Sequence, residues 1–264
     1  MIAKIYATIA VFITGSLLIY GVSDFPRFGD ARSPANAGVE GGAGSISEYY
    51  ITKSYADTKV PNIVTSVLAD YRSYDTMFET VVIFVAGMSI FAILRTFRSG
   101  APLVENFRKD DSFIDGDHQR IIVGTTCRLV VPVVQLFALY VIAHGHHSPG
   151  GGFQGGVLLG ASYIILALAD DLAAALRRLS EARYLMLAAV GIAIYSGLGF
   201  LCMLLGQNFL DYGVLEAVFR TDGPEMARSH SMLGVEIGVA ATVMAIMFAI
   251  YANLASKGTL KKAL

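Results

Sequence analysis

The sequence predicts an all-α, polytopic membrane protein with about six transmembrane helices and an outer amphipathic helix between the first two. Of its 264 residues, 55% are hydrophobic and 16% are charged, and the mean hydropathy is +0.58. The apolar residues lie in blocks close to the roughly 20 residues that a helix needs to cross ~30 Å of hydrocarbon. Each block must be helical, because backbone polar groups in lipid have no water to bind.

Each predicted span is an apolar run bounded by polar residues. The six runs are 2–22, 77–94, 121–143, 153–169, 184–205 and 233–254. The first run lacks an A-x-A cleavage pattern after Val22, so we interpret it as a retained span. An even number of spans places both termini on the same side of the membrane.

The distribution of Lys and Arg predicts which side that is. Under the six-span arrangement, twelve basic residues share the side of the termini and seven lie on the other side. The twelve are Lys4, Arg95, Arg98, Arg108, Lys109, Arg120, Arg177, Arg178, Arg183, Lys257, Lys261 and Lys262. Because basic residues favour the cytoplasmic side, both termini are predicted to be cytoplasmic.

The long connection between the first two spans, 23–76, contains apolar residues at helical spacing from Val60 to Tyr71. Pro61 suits the first turn of a helix. We therefore predict an amphipathic helix over 61–72 at the outer membrane surface or against neighbouring spans. The connection holds too little apolar surface for a soluble core of its own.

A glycine-rich corner, residues 143–156, joins the third and fourth predicted spans. His144, His146 and His147 are possible zinc ligands, but their spacing has no fixed partner set, so we expect them to titrate or to form hydrogen bonds. The motif that follows them consists of Pro149, Gly150, Gly151, Gly152, Phe153 and Gln154. Its glycines allow close backbone packing or positive φ, and its last two residues are predicted to anchor the start of the fourth span.

Three ionisable residues stand out within predicted spans, where a charge is costly and usually faces protein or water. Arg128 either pairs with Asp170 or Asp171 or lies in an ion path. Glu79 and Glu236, near the outer ends of spans two and six, are either ion-path carboxylates or water-touched interfacial residues. The sequence alone leaves these alternatives open.

Motifs of enzymatic chemistry are not apparent. The sequence contains no G-x-S-x-G elbow, no H-E-x-x-H and no C-x-x-C-H. Cys127 and Cys202 both fall in apolar runs, which is typical of small buried hydrophobes. We therefore expect a chain that is not an enzyme and that has no cofactor, no metal and no nucleic-acid partner.

The second part of the chain, from 119 to 255, resembles the B-type component of Mrp-type multisubunit sodium/proton antiporters. The residues that carry the resemblance are 128–132 (RLVVP), 137–141 (FALYV), 144–145 (HG), 148–156 (SPGGGFQGG) and 236–239 (EIGV). Related small subunits occur in complex I-related membrane-bound hydrogenases.

The first part resembles the carboxy-terminal portion of the large A-type component, or the equivalent small hydrogenase subunit. The matching residues are 24–26 (DFP), 29–30 (GD), 62–65 (NIVT), 70–72 (DYR), 74–76 (YDT) and 79–80 (ET). We therefore predict a two-span module over 1–100, a linker over 101–118 and a four-span module over 119–264. The long antiporter-like bundle of the A-type component is missing, so this chain cannot carry the main proton track by itself.

The resemblance implies a connecting subunit in the cytoplasmic membrane of a prokaryote. Its partners would be the antiporter-like A and D types and the small C, E, F and G types, or a hydrogenase-type membrane arm, and its ions Na+ and H+. At Glu79 the family has an acid associated with ion passage. His144, Pro149 and Phe153 are motif positions, and Glu236 matches the family's last span. His144 is also a candidate for the ion path. A purely structural scaffold remains an alternative.

Overall fold

The computed structural model describes residues 2–37, 44–96, 117–256 and 258. It is 79% helical, and the described residues contain no strand. Its α-helices are α1 (Ile2–Ser23), α2 (Ile46–Thr58), α3 (Ile63–Ser66), α4 (Ser73–Thr96), α5 (Asp117–Ala143), α6 (Gly152–Ala169), α7 (Leu172–Arg178), α8 (Glu181–Leu204), α9 (Glu216–Phe219) and α10 (Pro224–Ala255). Six of these, α1, α4, α5, α6, α8 and α10, are long and apolar enough to cross a membrane. The predicted all-α, polytopic membrane fold is confirmed.

The chain divides into two compact units, 1–52 and 53–264. The first contains α1 and the beginning of α2, and within it the backbone N–H of Ile46 donates to the carbonyl oxygen of Pro34 at 3.1 Å. The second contains the five remaining long helices. The modules predicted over 1–100 and 119–264 are defined by resemblance to two families, whereas these two units are defined by compactness. The module boundaries therefore stay a prediction.

The central helix of the second unit is α10, which packs against α4, α6 and α8. Small residues bring the backbones close together. A Cβ atom on Gly156 of α6 would lie 2.8 Å from the carbonyl oxygen of Ala240, and one on Gly238 would lie 2.7 Å from the carbonyl oxygen of Gly191 of α8. Larger side chains would separate these helices, which is why small residues are favoured at membrane helix contacts.

A buried polar cluster ties α4 to α8 near the start of α4. The hydroxyl of Ser73 lies 2.9 Å from that of Tyr195 and 2.8 Å from that of Tyr212, and Tyr195 also donates to the backbone oxygen of Ser73. All three side chains are buried. Each polar atom of the cluster therefore has a partner where water is excluded.

The helix predicted over 61–72 is present but shorter, and it is divided into an α and a π part. The structure has α2, which was not predicted, and then the short α3, whose cap is Asn62, followed by a π-helical turn over Val67–Tyr71. Pro61 lies before the cap and outside the helix. The π turn brings Asp70 into a buried position, so tertiary pairing outweighs regular α-helical spacing here.

The last span was predicted to begin at residue 233, but α10 begins at Pro224, a favourable first position for a helix. Glu236 therefore lies twelve residues beyond the first residue of α10, deeper in the helix than a start at 233 implies. Polar residues before 233 made the first turns of α10 look like a loop. One of them, Arg228, is paired with Asp70 within the fold, so it is compatible with the helix. The predicted linker 101–118 lies almost entirely outside the described residues.

Candidate functional site

The glycine-rich corner is held by α3 through side chain to backbone hydrogen bonds. Asn62 caps α3 by accepting from the N–H of Val64 at 3.1 Å, and its Nδ2 donates to the carbonyl oxygens of Gly145 and Ser148, both at 2.9 Å. The hydroxyl of Thr65 donates to the same Gly145 oxygen at 2.7 Å. A carbonyl oxygen can accept two such bonds, so both are satisfied together.

The same corner encloses the carboxyl group of Glu236. A Cβ atom on Gly145 would lie 2.7 Å from its Oε2, and one on Gly151 would lie 2.7 Å from its Oε1. A Cβ atom on Gly152 would clash with the backbone oxygen of Glu236. Gly151 also has φ 121°, which L side chains rarely adopt. The packing against Glu236 thus explains three of the glycines, which we name the glycine cradle.

A cavity of about 280 Å3 lies beside the glycine cradle, and we call it the corner cavity. It is lined by Val64, Thr65, Leu68, Ala69, Thr76, Glu79, Thr80, Gly150, Gly151, Gly152, Phe153, Gln154, Val235, Glu236 and Val239. The structure therefore places Glu79 and Glu236, two of the sequence-predicted candidates, on one cavity. It does not bring Arg128 or His144 to that cavity.

The two carboxyl groups differ in their surroundings. Glu79, on α4, is exposed, whereas Glu236 is only 7% exposed. The Oε2 atom of Glu236 is buried and has no hydrogen-bond partner among the described residues. A charged side chain at the centre of a membrane helix costs about 3 kcal/mol on insertion scales, so an unpaired one needs a specific reason.

An ion pair lies next to the cavity lining, at Asp70 and Arg228. The Arg228 Nη2 atom is 2.5 Å from Asp70 Oδ2, and its Nε donates to the same oxygen at 2.8 Å. Burial raises the pKa of Asp70 above 3.8, although the Arg228 guanidinium opposes this shift. The pair joins the π turn to the first turns of α10.

The histidines of the corner have different environments. His144 is exposed and stacks on Tyr140 of α5, with 4.1 Å between the ring centroids. His147 is also exposed. His146 is half-buried and its Nε2 has no partner among the described residues. Burial lowers the pKa of His146 below 6.5, with smaller contributions from His147 and His230.

Arg128 is paired at the far end of the α5–α6 hairpin. Its Nη2 and Nε donate to one carboxylate oxygen of Asp170, at 2.6 and 2.9 Å, and its side chain is 68% exposed. Asp170 is one of the two partners that the sequence predicted for Arg128. Whether Arg128 also serves an ion path stays a prediction.

Sequence reasoning did not assign roles to Asn62, Thr65, Asp70 or Arg228. The pattern Asn-x-x-Thr before an apolar run is a signal for a helix cap, and it marks the start of α3. Nothing in the pattern indicates that the cap also holds a corner more than 80 residues away. That contact depends on tertiary structure.

Two family models match the chain on either side of this cavity. Residues 122–249 match the domain related to the MnhB subunit of Na+/H+ antiporters, and residues 40–110 match MbhE, the E-type component of MBH. The chain joins an MnhB-like domain to an MbhE-like module. The corner cavity is lined by both, with Glu79 from the MbhE-like module and Glu236 from the MnhB-like domain.

Two curated relatives of the MnhB-like domain are named as antiporter components. The chain is 27% identical over 46% of its length to the A/B component of a probable K(+)/H(+) antiporter of Rhizobium meliloti, and covers 13% of that protein. It is 34% identical over 35% of its length to the B-type component of the Na(+)/H(+) antiporter of Bacillus subtilis, and covers 64% of it. The chain thus spans less than two thirds of either relative.

Two solved structures share the fold. The Mrp complex from Dietzia sp. DQ12-45-1b matches with a TM-score of 0.63 and 23% identity, over 99% of this chain and 27% of that chain. The membrane-bound sulfane sulfur reductase, an archaeal respiratory membrane complex, matches with a TM-score of 0.54 and 22% identity, over 94% of this chain and 98% of that chain. The fold of this chain is therefore found both in an Mrp complex and in a respiratory membrane complex.

Proposed function

We propose that the chain is a non-catalytic integral-membrane subunit of a multisubunit monovalent cation/proton antiporter, and that the corner cavity belongs to its ion path. The observation that carries the proposal is the placement of Glu79 and Glu236 on one cavity, lined by both the MbhE-like module and the MnhB-like domain. Ionisable groups within membrane helices usually mark ion pathways. The similarity to antiporter components supports the same proposal.

The partners proposed for the chain are the antiporter-like A and D types and the small C, E, F and G types, with Na+ and H+ as the transported ions. Both termini are proposed to lie in the cytoplasm, which puts the corner cavity on the opposite side. The proposed location is the cytoplasmic membrane of a prokaryote. The Lys and Arg distribution supports this orientation.

The test is Glu79→Ala in the complete complex, assayed in everted vesicles for sodium-dependent proton exchange. We expect exchange to be abolished, because the cavity loses its exposed carboxylate, Glu79. All subunits should still co-purify. Glu216→Ala is a matched control, since Glu216 is an exposed carboxylate that does not line the cavity. Normal exchange in an assembled Glu79→Ala complex contradicts the proposal and leaves the scaffold role.

A second candidate function is that of a membrane-arm component of a redox-driven ion pump. The match of residues 40–110 to MbhE favours it. Any redox chemistry would then reside in partner subunits. Purification of the complex from its native membrane, followed by iron and nickel analysis, separates the two functions, because an antiporter of this type has no metal-bearing component.

A further inference from the structure

We propose that the carboxyl group of Glu236 is a proton-binding site that exchanges its proton with the corner cavity. The inference rests on the proposed function only for the direction in which the proton then travels. The site consists of the carboxyl group itself, the glycine cradle on one side and the cavity on the other. It lies in the MnhB-like domain, apart from the exposed Glu79.

The glycine cradle excludes water from part of the carboxyl group. Backbone atoms of Gly145 and Gly151 approach Oε2 and Oε1 so closely that a single Cβ atom at either glycine would lie 2.7 Å from an oxygen. These surfaces are CH groups, which donate no strong hydrogen bond. The cradle therefore packs against the carboxyl group without solvating a negative charge.

The unpartnered oxygen is the second observation. Glu236 is 7% exposed, and its Oε2 has no hydrogen-bond partner among the described residues. Buried polar groups are normally satisfied, and a charge without a partner is the most costly exception. A bound proton removes the charge, so the neutral acid fits this environment better than the carboxylate does.

The geometry favours a proton over an alkali-metal ion, because the carbonyl oxygens of the glycine-rich corner already accept hydrogen bonds. Those of Gly145 and Ser148 accept from Asn62, and Thr65 also donates to Gly145. The carbonyl oxygen of Val141 accepts from the N–H of Gly151. Hard metal ions require several oxygen ligands at once, and each of these carbonyl oxygens already accepts at least one hydrogen bond.

Exchange of the proton requires a route to water, which the corner cavity supplies. At ~30 Å3 per water molecule, a cavity of 280 Å3 has room for several. The first residue of α6 is Gly152, a member of the cradle, so the positive end of the α6 dipole lies next to Glu236. That dipole reduces the cost of the ionised form and makes release of the proton feasible.

Other titratable groups lie on the elements around Glu236. Glu79, on α4, is the other acid in the lining of the same cavity. His146 belongs to the corner, and its buried Nε2 is unpartnered in the described structure. Asp70, from the π turn, is paired with Arg228, and Tyr195, from α8, is bonded to Ser73.

The experiment is modification of the purified complex with dicyclohexylcarbodiimide, which reacts with protonated carboxyl groups in apolar surroundings, followed by mass spectrometry of the peptide that contains Glu236. We expect the rate of labelling at Glu236 to fall about tenfold per pH unit above its midpoint, as for one proton. Glu236→Gln should lose the label, and Glu79→Gln, the matched control, should keep it.

Two results would overturn the proposal. One is the absence of label on Glu236 at every pH tested. The other is protection of Glu236 by Na+ or K+ at constant pH, which would make the site one for a metal ion. Failure of labelling with intact sodium-dependent exchange would remove this inference alone, whereas pH-dependent labelling in a complex without such exchange would remove the antiporter function and leave the proton site.

Discussion

Asn62 donates a hydrogen bond from its Nδ2 to the carbonyl oxygen of Gly145, 83 residues later in the chain, at 2.9 Å. Its Oδ1 meanwhile caps α3. One side chain thus starts a helix of the MbhE-like module and holds the glycine-rich corner of the MnhB-like domain. The corner cavity depends on this contact, because its walls come from the two segments that the contact joins.

The first prediction concerns that contact. Asn62→Asp keeps the Oδ1 acceptor of the cap but removes the amide donor and adds an acceptor that faces two carbonyl oxygens. We expect a loss of about 2 kcal/mol or more in the free energy of unfolding, because both oxygens lose the bond from Asn62 and face an acceptor in its place. A thiol-reactive dye that reports the exposure of Cys202, which is fully buried in the fold, measures it.

Asn36→Asp is the matched control for this variant. Asn36 is exposed, and its Nδ2 donates to the hydroxyl of the nearby Ser33 at 3.3 Å. A change below about 0.5 kcal/mol is expected for such a surface position. Equal stability losses in the two variants would contradict a specific role for Asn62.

The second prediction concerns Gly151→Ala. The added Cβ atom meets Glu236 Oε1 and the backbone has φ 121°, so we expect loss of both stability and exchange. Gly206→Ala separates the two causes, because Gly206 has φ 84° but nothing within 4 Å of an added Cβ atom. We expect a larger fall in melting temperature for Gly151→Ala than for Gly206→Ala. If the clash with Glu236 is the cause, the double variant Gly151→Ala with Glu236→Ala should recover part of the lost melting temperature.

The third prediction concerns the Asp70–Arg228 ion pair. Asp70 is 4% exposed, so Asp70→Ala leaves a half-buried guanidinium without its carboxylate and should cost about 3–5 kcal/mol. The double variant with Arg228→Met should recover much of this loss. Asp75→Ala, which breaks the exposed pair with Arg72, should cost less than about 1 kcal/mol. Chemical denaturation of these variants measures the differences, and a similar cost at both sites would contradict the account.

The fourth prediction concerns pH and His146. Its pKa in the folded protein lies below 6.5 because of burial, so the unfolded chain binds the proton more readily. The contribution to stability is therefore complete above pH 6.5 and is lost as the pH falls towards the lowered pKa. His146→Gln should flatten the decline in melting temperature below pH 6.5, and His144→Gln, at an exposed position, should leave it unchanged.

The spans and the cavity were predictable from the sequence to different degrees. Hydropathy located all six long helices, because lipid requires long apolar runs whatever the tertiary contacts are. It missed the first turns of α10, where Arg228 is polar in sequence but paired in the fold. Glu79 and Glu236 stood out as ionisable residues near span ends, yet their common cavity arises from packing between distant segments.

The glycine-rich corner shows the same limit in another way. The sequence indicated that its glycines permit close approach or positive φ, and Gly151 has both. It did not indicate that the group approached is the Glu236 carboxyl, 85 residues after Gly151. That assignment needs the position of α10 relative to α6, which local patterns do not contain.

The most direct test of the central claim, that the corner cavity lies on the ion path, is to block it. Gln154 is exposed and lines the cavity, so Gln154→Cys in the complete complex places a thiol there for a bulky cationic methanethiosulfonate reagent. Gln207→Cys, also exposed but away from the cavity lining, is the matched control. We expect labelling to stop sodium-dependent proton exchange in the first variant only. Unchanged exchange in fully labelled Gln154→Cys would contradict it.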